Sequence, residues 1–444
     1  MKMGGVQPAG GHEFSLSIPL LPDKEQLQND HDVGDEAHHA EQKYTHHHHK
    51  ATGTTSYFKT CLNGLNALSG LGILSIPYAL SEGGWLSLIL LFAIASATFY
   101  TGLLLKRCMG VDSHIKTYSD IGERAFGHQG RMVISIFMYL ELYLVATGFL
   151  ILEGDNLHNM FPEILLQVAG LRIIGGRQSF VIIVALIILP SVWLEDLSIL
   201  SYISAGGVLA SAIVIGSVAW VGAIDGVGFH EKGRLLNLSG IPTAVSLYAF
   251  CYCAHPMFPT LYTSMRHKHQ FSKVMVLCFI LSTIGYASIA VLGYLMYGSN
   301  VASQVTLNLP NEKLSSKIAI YTTLLNPITK YALVITPIRE AVENSLPYAY
   351  KSRCINLLVR TMLLMSTAIV ALMVPFFGYL MALVGAFLSV TASIILPCLC
   401  YLKISGNYRR WGYEFVFIMG IILIGLLVVV VGTYTSLKQI IGHL

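Results

Sequence analysis

The chain has 444 residues, of which 54% are hydrophobic and 12% are charged, and its mean hydropathy is +0.63. A water-soluble protein of this length could not bury so much apolar surface, so the composition indicates an integral membrane protein. The formal net charge of +4 is small, and the basic residues stand between apolar runs, which argues against a nucleic-acid-binding surface.

The first 55 residues differ in composition from the rest of the chain. They are rich in Gly, Asp, Glu, Gln and His, and they include a histidine run at residues 46–49. A segment of this kind cannot bury enough apolar surface to fold, and such a histidine run is more often solvated than bound to metal. The sequence therefore predicts a disordered tail over residues 1–55 and a transmembrane domain over residues 56–444.

Eleven apolar runs follow the tail, each long enough to cross ~30 Å of hydrocarbon as a helix. The runs occupy residues 57–80, 85–105, 132–153, 179–195, 199–224, 241–263, 273–297, 318–338, 355–374, 377–402 and 413–437. The sequence therefore predicts an all-α polytopic membrane protein with about eleven transmembrane helices.

Lysine and arginine residues flank these runs about twice as often on one side as on the other. The richer side includes Lys106, Arg107, Arg266, Arg353 and Lys403. Cytosolic loops of membrane proteins carry an excess of these residues. The bias therefore predicts that the N-terminal tail lies in the cytosol.

The first run carries the residues on which the functional interpretation depends. Residues 61–78 read CLNGLNALSGLGILSIPY, with small and polar residues where a simple anchor would carry Leu, Ile and Val. Glycine and proline weaken a helix, and unwound backbone at bilayer depth is tolerated only where it is buried in protein or lines a cavity. The sequence predicts that the first helix is broken and forms half of a binding site.

The sixth run supplies a second predicted break. It reads IPTAVSLYAFCYCAHPMFPTLY, with Pro256 and Pro259 in mid-segment. A kinked structural helix would explain either break alone. Interrupted segments at matching positions of two halves are typical of inverted-repeat transporters, and these two lie five runs apart. The pattern therefore favours a five-plus-five arrangement with one extra helix.

Two such breaks would suit a zwitterion. Amide groups at the start of a half-helix favour a carboxylate, and carbonyl groups freed by the breaks can accept from an ammonium group. Phe250, Tyr252 and Tyr143 would line the side-chain pocket. The predicted substrate-binding residues are Asn66, Ala67, Ser69, Gly70, Leu71, Gly72, Ile73, Tyr143, Phe250, Cys251, Tyr252 and Cys253.

Ionisable residues within the runs are candidates for proton coupling, because charge at bilayer depth is costly. Glu141 lies in the third run. The alternative role for it is that of a structural carboxylate held by a basic or hydroxyl partner. Lys330 lies in the eighth run and could instead snorkel or form an ion pair. His255 lies in the sixth-run break and could titrate or brace the turn by hydrogen bonding. Glu153 and Asp155 end the third run and are expected to face water.

Several sequence stretches are similar to one family. They are GLGILSIPYAL followed by GGW, TYSDIGERAFG, YLELYLVATGFLILEGDNL, SLYAFCYCAHPMFPTLYTSM, NPITKYAL, PFFGYLMALVGAFLSV and ILPCLCYLKI. They occur in order between residue 55 and about residue 405. By these motifs the chain resembles the amino acid/auxin permease family, most closely its plant and fungal vacuolar amino acid transporter branch.

This resemblance implies a LeuT-type five-plus-five inverted repeat in which helices 1 and 6 are broken. It also implies proton-coupled transport, most simply antiport of protons and neutral amino acids into the vacuole. Relatives of the same fold export from vacuoles or work at the plasma membrane, so a symporter in either place remains an alternative, as does an amino acid sensor. In this fold the eighth span helps to form a sodium site, where the ammonium group of Lys330 could replace sodium.

The sequence predicts no enzyme, since it has no Gly-rich phosphate loop, HExxH motif or nucleophile elbow. No catalytic residue, cofactor or metal site is therefore expected. The expected partners are small amino acids, protons and the lipid bilayer, with no nucleic acid.

Overall fold

The computed structural model describes residues 53, 55–112, 114–162, 167–168, 171–172, 176–193, 200–345, 347, 352–374, 376–406 and 412–443. Residues 1–52 of the predicted tail lie outside the described residues, so the disorder of the tail stays a prediction.

Helices make up nearly all of the described chain. The α-helices are α1 (Tyr57–Leu68), α2 (Gly72–Gly83), α3 (Ser87–Met109), α4 (Tyr118–Met160), α5 (Gly176–Trp193), α6 (Leu200–Ala223), α7 (Ile241–Cys251), α8 (Phe258–Ser264), α9 (Phe271–Tyr297), α10 (Leu314–Ser345), α11 (Arg353–Met373), α12 (Phe377–Leu383), α13 (Leu396–Ser405) and α14 (Tyr413–His443). Short 3₁₀ turns occupy His255–Met257, Lys268–Gln270, Gly298–Asn300 and Val305–Asn308. Gln167–Val168 (β1) and Leu171–Arg172 (β2) pair as a small antiparallel hairpin.

Each of the eleven predicted runs lies on one of these helices or on an interrupted pair of them, although α4 is much longer than the third run and is kinked at Gly127. In the described part of the chain, nine helices are long and apolar enough to cross a membrane alone, and α1 with α2 forms a further candidate that is bent by 49°. The sixth run is divided into α7 and α8, of 11 and 7 residues. The predicted all-α polytopic architecture is confirmed, and the first and sixth spans are the broken ones.

The first break has a local cause in its small residues. The amide of Ser69 ends α1 by donating to the carbonyl of Leu65 at 2.7 Å, and the amide of Gly70 donates to Leu68 at 2.8 Å. Helix α2 then begins without a side-chain cap. Pro77 inside α2 removes one further backbone donor from the same span. Residues 69–71 therefore connect two half-helices.

The second break depends on proline. Helix α7 ends at Cys251, and the chain continues through a 3₁₀ turn that contains Pro256 before α8 begins. Pro259 lies in the first turn of α8. A proline there costs no hydrogen bond, because the first amides of a helix have no partner within the helix. The two prolines therefore start new helical segments and prevent α7 from continuing through the span.

The tenth span contains a rare helix type. Between α12 and α13 it is π-helical over Val384–Ser389 and Thr391–Ile395. A Cβ atom at Gly385 would overlap with the carbonyl oxygen of Ser246 in α7, so this glycine allows the π-helix to pack against the broken sixth span. π-Helical turns occur frequently at functional sites.

Candidate substrate site

A cavity of about 150 Å³ lies between the two breaks. Its volume is roughly ten times the ~15 Å³ that one water molecule requires. The residues that line it come from α1, α2, α4, α7, α10 and the two breaks: Asn66, Ala67, Leu68, Gly70, Leu71, Gly72, Glu141, Leu142, Val145, Phe149, Phe250, Cys251, Cys253, Ala254, Pro256, Met257, Lys330 and Val334. The structure therefore brings both predicted breaks and two of the three predicted coupling residues to one space.

The backbone of the first break presents amide groups at this cavity. In the described chain, no backbone carbonyl accepts from the amides of Leu71, Gly72 or Ile73, which begin the second half-helix. Gly70 is among the predicted substrate-binding residues and lines the cavity, but its own amide donates to the carbonyl of Leu68. A helix N-terminus with free amides attracts an anion, so this end of the cavity suits a carboxylate.

The two breaks touch each other directly. A Cβ atom at Gly72 would lie 2.5 Å from Sγ and 3.1 Å from Cα of Cys251, so only glycine permits the approach. The hydroxyl group of Tyr286, in α9, hydrogen-bonds to the carbonyl oxygen of Leu68 and, at 3.1 Å, to that of Cys251. One buried hydroxyl group therefore holds the last residues of both N-terminal half-helices.

Lys330 connects the eighth span to the first break. Its side chain is buried, and its Nζ atom donates to the carbonyl oxygen of Ser69 at 3.0 Å. Gly207 of α6 provides the space, because a Cβ atom there would overlap with Oδ1 of Asn66 and lie 3.2 Å from Cε of Lys330. An ammonium group thus contacts the unwound backbone beside the cavity.

Glu141 is a second ionisable residue in the wall of the cavity. It is 3% exposed, and the hydroxyl group of Ser389 donates to its Oε1 atom at 2.6 Å. Cys253, in the sixth-span break, lines the same cavity. Glu141 therefore has a hydroxyl partner, and among the described ion pairs none includes it.

His255 is fully buried in the second break but does not line the cavity. Its Nε2 atom lies 3.1 Å from the carbonyl oxygen of Thr98 and 2.9 Å from Oγ1 of Thr101. Thr101 in turn donates to the carbonyl oxygen of Ser393 at 2.6 Å. These contacts fit an Nε2 that carries the proton and donates to α3, so His255 ties the 3₁₀ turn to the third helix.

Four predicted substrate-binding residues lie beside this cavity and do not line it. Ser69 contributes its carbonyl oxygen to Lys330, and Ile73 lines a smaller adjacent pocket. The hydroxyl group of Tyr252 pairs with Thr283 of α9 at 2.8 Å. Tyr143 lies in the same helix as Glu141 and is partly buried.

Sequence reasoning overlooked three residues that shape the site. Tyr286, Gly207 and Ser389 are ordinary residues of apolar runs, and nothing in the sequence beside them points to the groups they contact. Their partners lie far away in sequence, such as Leu68 for Tyr286 and Glu141 for Ser389. No local pattern could have identified them.

One expectation about the end of the third span is wrong. Glu153 is fully buried, and within the described chain neither of its carboxylate oxygens has a hydrogen-bond partner. Asp155 is also largely buried, because Arg177 and Gln304 hold its carboxylate. Helix α5 and the segment near Val305–Asn308 pack over this end of α4 and exclude water from it.

Comparisons with known proteins identify the family of this chain. A family model described as transmembrane amino acid transporter protein matches residues 53–438. The amino acid transporter AVT1I of Arabidopsis thaliana is 59% identical over 391 residues, which cover 88% of this chain and 96% of that protein.

Two solved structures share the fold. One is a Na⁺-coupled sialic acid symporter in a substrate-bound outward-open state, with a TM-score of 0.50 and 12% identity over 87% of this chain and 92% of that one. The other is MhsT in complex with L-phenylalanine, with a TM-score of 0.52 and 12% identity over 85% and 98% of the two chains. At this identity they show the LeuT-type fold alone. By its family match and its curated relatives, the chain belongs to the transmembrane amino acid transporters, the amino acid/auxin permease family.

Proposed function

We propose that the protein is a proton-coupled antiporter that moves neutral amino acids into the vacuole. The observation that carries this proposal is the cavity between the two broken spans, which Glu141 and Lys330 line together with unwound backbone. The resemblance to vacuolar transporters supports the location, and the excess of basic residues on one side supports a cytosolic N-terminus.

In the proposed binding mode, the substrate carboxylate contacts the free amides of Leu71 and Gly72. Its ammonium group contacts carbonyl oxygens of the opposite break, near Phe250 and Cys251. The walls beyond these polar groups are apolar, with Val145, Phe149 and Met257 among them. Most of this wall favours a neutral amino acid, because a charged side chain that pointed at Val145, Phe149 or Met257 would lie without a partner among apolar groups.

Protons are proposed as the coupling ions because of Glu141 and Lys330. A buried carboxyl group beside the substrate can be ionised or neutral, and its charge then affects binding of the substrate ammonium group. The ammonium group of Lys330 already donates to the carbonyl oxygen of Ser69. A sodium ion at that position would need the same oxygen, so a fixed cation there favours coupling to protons.

The test is uptake of a panel of radiolabelled neutral amino acids into vacuolar vesicles that contain the protein. ATP should stimulate uptake because the vacuolar proton pump acidifies the lumen, a protonophore should abolish it, and replacing sodium by choline should leave it unchanged. Uptake at the same rate with and without the pH gradient would contradict proton coupling. Acceleration by a gradient of opposite sign would indicate a symporter, and bound substrate without any uptake would indicate a sensor.

A further inference from the structure

We propose that Ser389 is the positioning residue for the proton-carrying carboxyl group: its hydroxyl group fixes Glu141 in the cavity wall and sets the pH at which Glu141 releases its proton. This inference rests on the proposed function, because it takes Glu141 as the proton carrier. The contact itself joins Oγ of Ser389 to Oε1 of Glu141 over 2.6 Å. Both residues are buried, with exposed fractions of 0% and 3%.

Ser389 holds a fixed position because neighbouring helices contact the π-helical part of its span. Gly385 packs against the backbone of α7, where a Cβ atom would not fit. The carbonyl oxygen of Ala392 accepts from the hydroxyl group of Tyr118 at 2.6 Å, and that of Ser393 accepts from Thr101 at 2.6 Å. Contacts from α3, α4 and α7 therefore hold the backbone that aims the Ser389 hydroxyl at Glu141.

Few other polar groups compete for this carboxyl group. The titratable residues that interact with it are Tyr118 at the start of α4 and Cys253 in the sixth-span break, and Lys330 on α10 lines the same cavity. Lys330 donates to Ser69, and a thiol is a weak hydrogen-bond donor. The tenth span carries no Asp, Glu, Lys, Arg or His between residues 376 and 402. Ser389 is therefore the strong neutral donor that this span offers to Glu141.

A serine hydroxyl can serve both protonation states of a carboxyl group. It donates to the carboxylate, and when the carboxylate takes up a proton the serine oxygen can accept from the new O–H group. Donation to the ionised form favours that form. Without the hydroxyl group the carboxylate loses this donor, so Glu141 should retain its proton up to a higher pH.

The experiment compares Ser389→Ala with Ser393→Ala in vacuolar vesicles. Ser393 lies in the next π-helical segment of the same span and is also buried, but its own hydroxyl group has no partner among the described residues, which makes it a matched control. Initial uptake of an equimolar mixture of radiolabelled neutral amino acids is measured over external pH at fixed internal pH. Ser389→Ala should shift the pH of half-maximal uptake upward by about one unit, and Ser393→Ala should not shift it.

Two further measurements distinguish a failure of this inference from a failure of the proposed function. Substrate counterflow at equal pH on both sides should survive in Ser389→Ala, because substrate binding does not require the hydroxyl group. Ser389→Cys keeps the size of the side chain and weakens the donor, so it should give a smaller shift in the same direction even if the alanine variant fails to accumulate.

The Glu141→Gln variant supplies the decisive comparison. It should lose the pH dependence, and adding Ser389→Ala to it should change nothing further. An unchanged pH profile in Ser389→Ala and Ser389→Cys, beside a flat profile in Glu141→Gln, would overturn the role of Ser389 alone. A normal profile in Glu141→Gln would overturn the proposed role of Glu141, and the assignment of Ser389 with it.

Discussion

At Gly70 the wall of the candidate substrate cavity has no side chain. A Cβ atom added there would meet no heavy atom within 4 Å, because the space it would enter is the cavity. The same residue lies between the two half-helices of the first span, where its amide donates to Leu68. Glycine at this position therefore leaves space in the cavity beside the backbone. A larger residue would fill that space without clashing with a neighbouring atom at its Cβ position.

Gly70→Val should abolish amino acid uptake while the protein still accumulates in the membrane. The valine side chain would occupy the space proposed for the substrate, and it would clash with no neighbouring atom at its Cβ position. Uptake of radiolabelled neutral amino acids and the amount of protein in the membrane are measured together. Gly216→Val in α6 is the control, because Gly216 also has no atom within 4 Å and is exposed. Full uptake by Gly70→Val would contradict the location of the site.

At the scale of helices, the two broken spans depend on each other. Gly72 lies against Cys251 with no room for a methyl group, and Tyr286 joins the carbonyl oxygens of Leu68 and Cys251. Each half-helix end would otherwise leave polar backbone groups unpaired at bilayer depth, where an unsatisfied group costs several kcal/mol. The breaks are therefore stable as a pair, since each supplies contacts that the other requires.

Gly72→Ala should separate the two breaks and lower both stability and uptake. Inserting a methyl group into a packed interior typically costs ~1–3 kcal/mol. The added Cβ atom would lie 2.5 Å from Sγ and 3.1 Å from Cα of Cys251, so Cys251→Ala should restore part of the loss by removing the sulfur atom. Thermal unfolding of the purified single and double variants measures this recovery. Strictly additive losses in the double variant would show that the two residues do not meet.

At the scale of the whole molecule, sidedness follows from the distribution of charge, which predicts a cytosolic N-terminus. The loop before α11 belongs to the basic side, and Cys354, the second residue of α11, borders it and is the one cysteine of the eight that is exposed. The other seven are buried or partly buried, six of them in helices and Cys253 in the sixth-span break. Cys354 is therefore a natural reporter of which side of the membrane this loop occupies.

A membrane-impermeant maleimide added to intact vacuoles should label Cys354 without permeabilisation, since this loop is predicted to face the cytosol. Labelled protein is detected by a mass shift on a gel, and Cys354→Ser should remove the signal. Labelling that requires detergent would place the loop in the lumen and reverse the proposed orientation.

Much of this architecture could be predicted from local composition. Apolar runs of membrane-spanning length predicted the helices, and the glycine and proline residues near Gly70 and Pro256 predicted where two of them break. These features can be predicted from the sequence because glycine and proline affect the backbone conformation at their own positions. Burial of Glu153 was predicted wrongly, because it depends on α5 and on a loop about 150 residues away that pack over it.

The sequence by itself determined the membrane class, the all-helical architecture, the two breaks and the family, since hydrophobic length, helix-weakening residues and motif order are local features of the sequence. Only the tertiary structure decided that Gly72 meets Cys251, that Tyr286 joins both breaks, and that Ser389 reaches Glu141. The physical reason is that each of these contacts requires packing of helices that are distant in sequence, and small shifts in that packing would change the partner of every buried polar group.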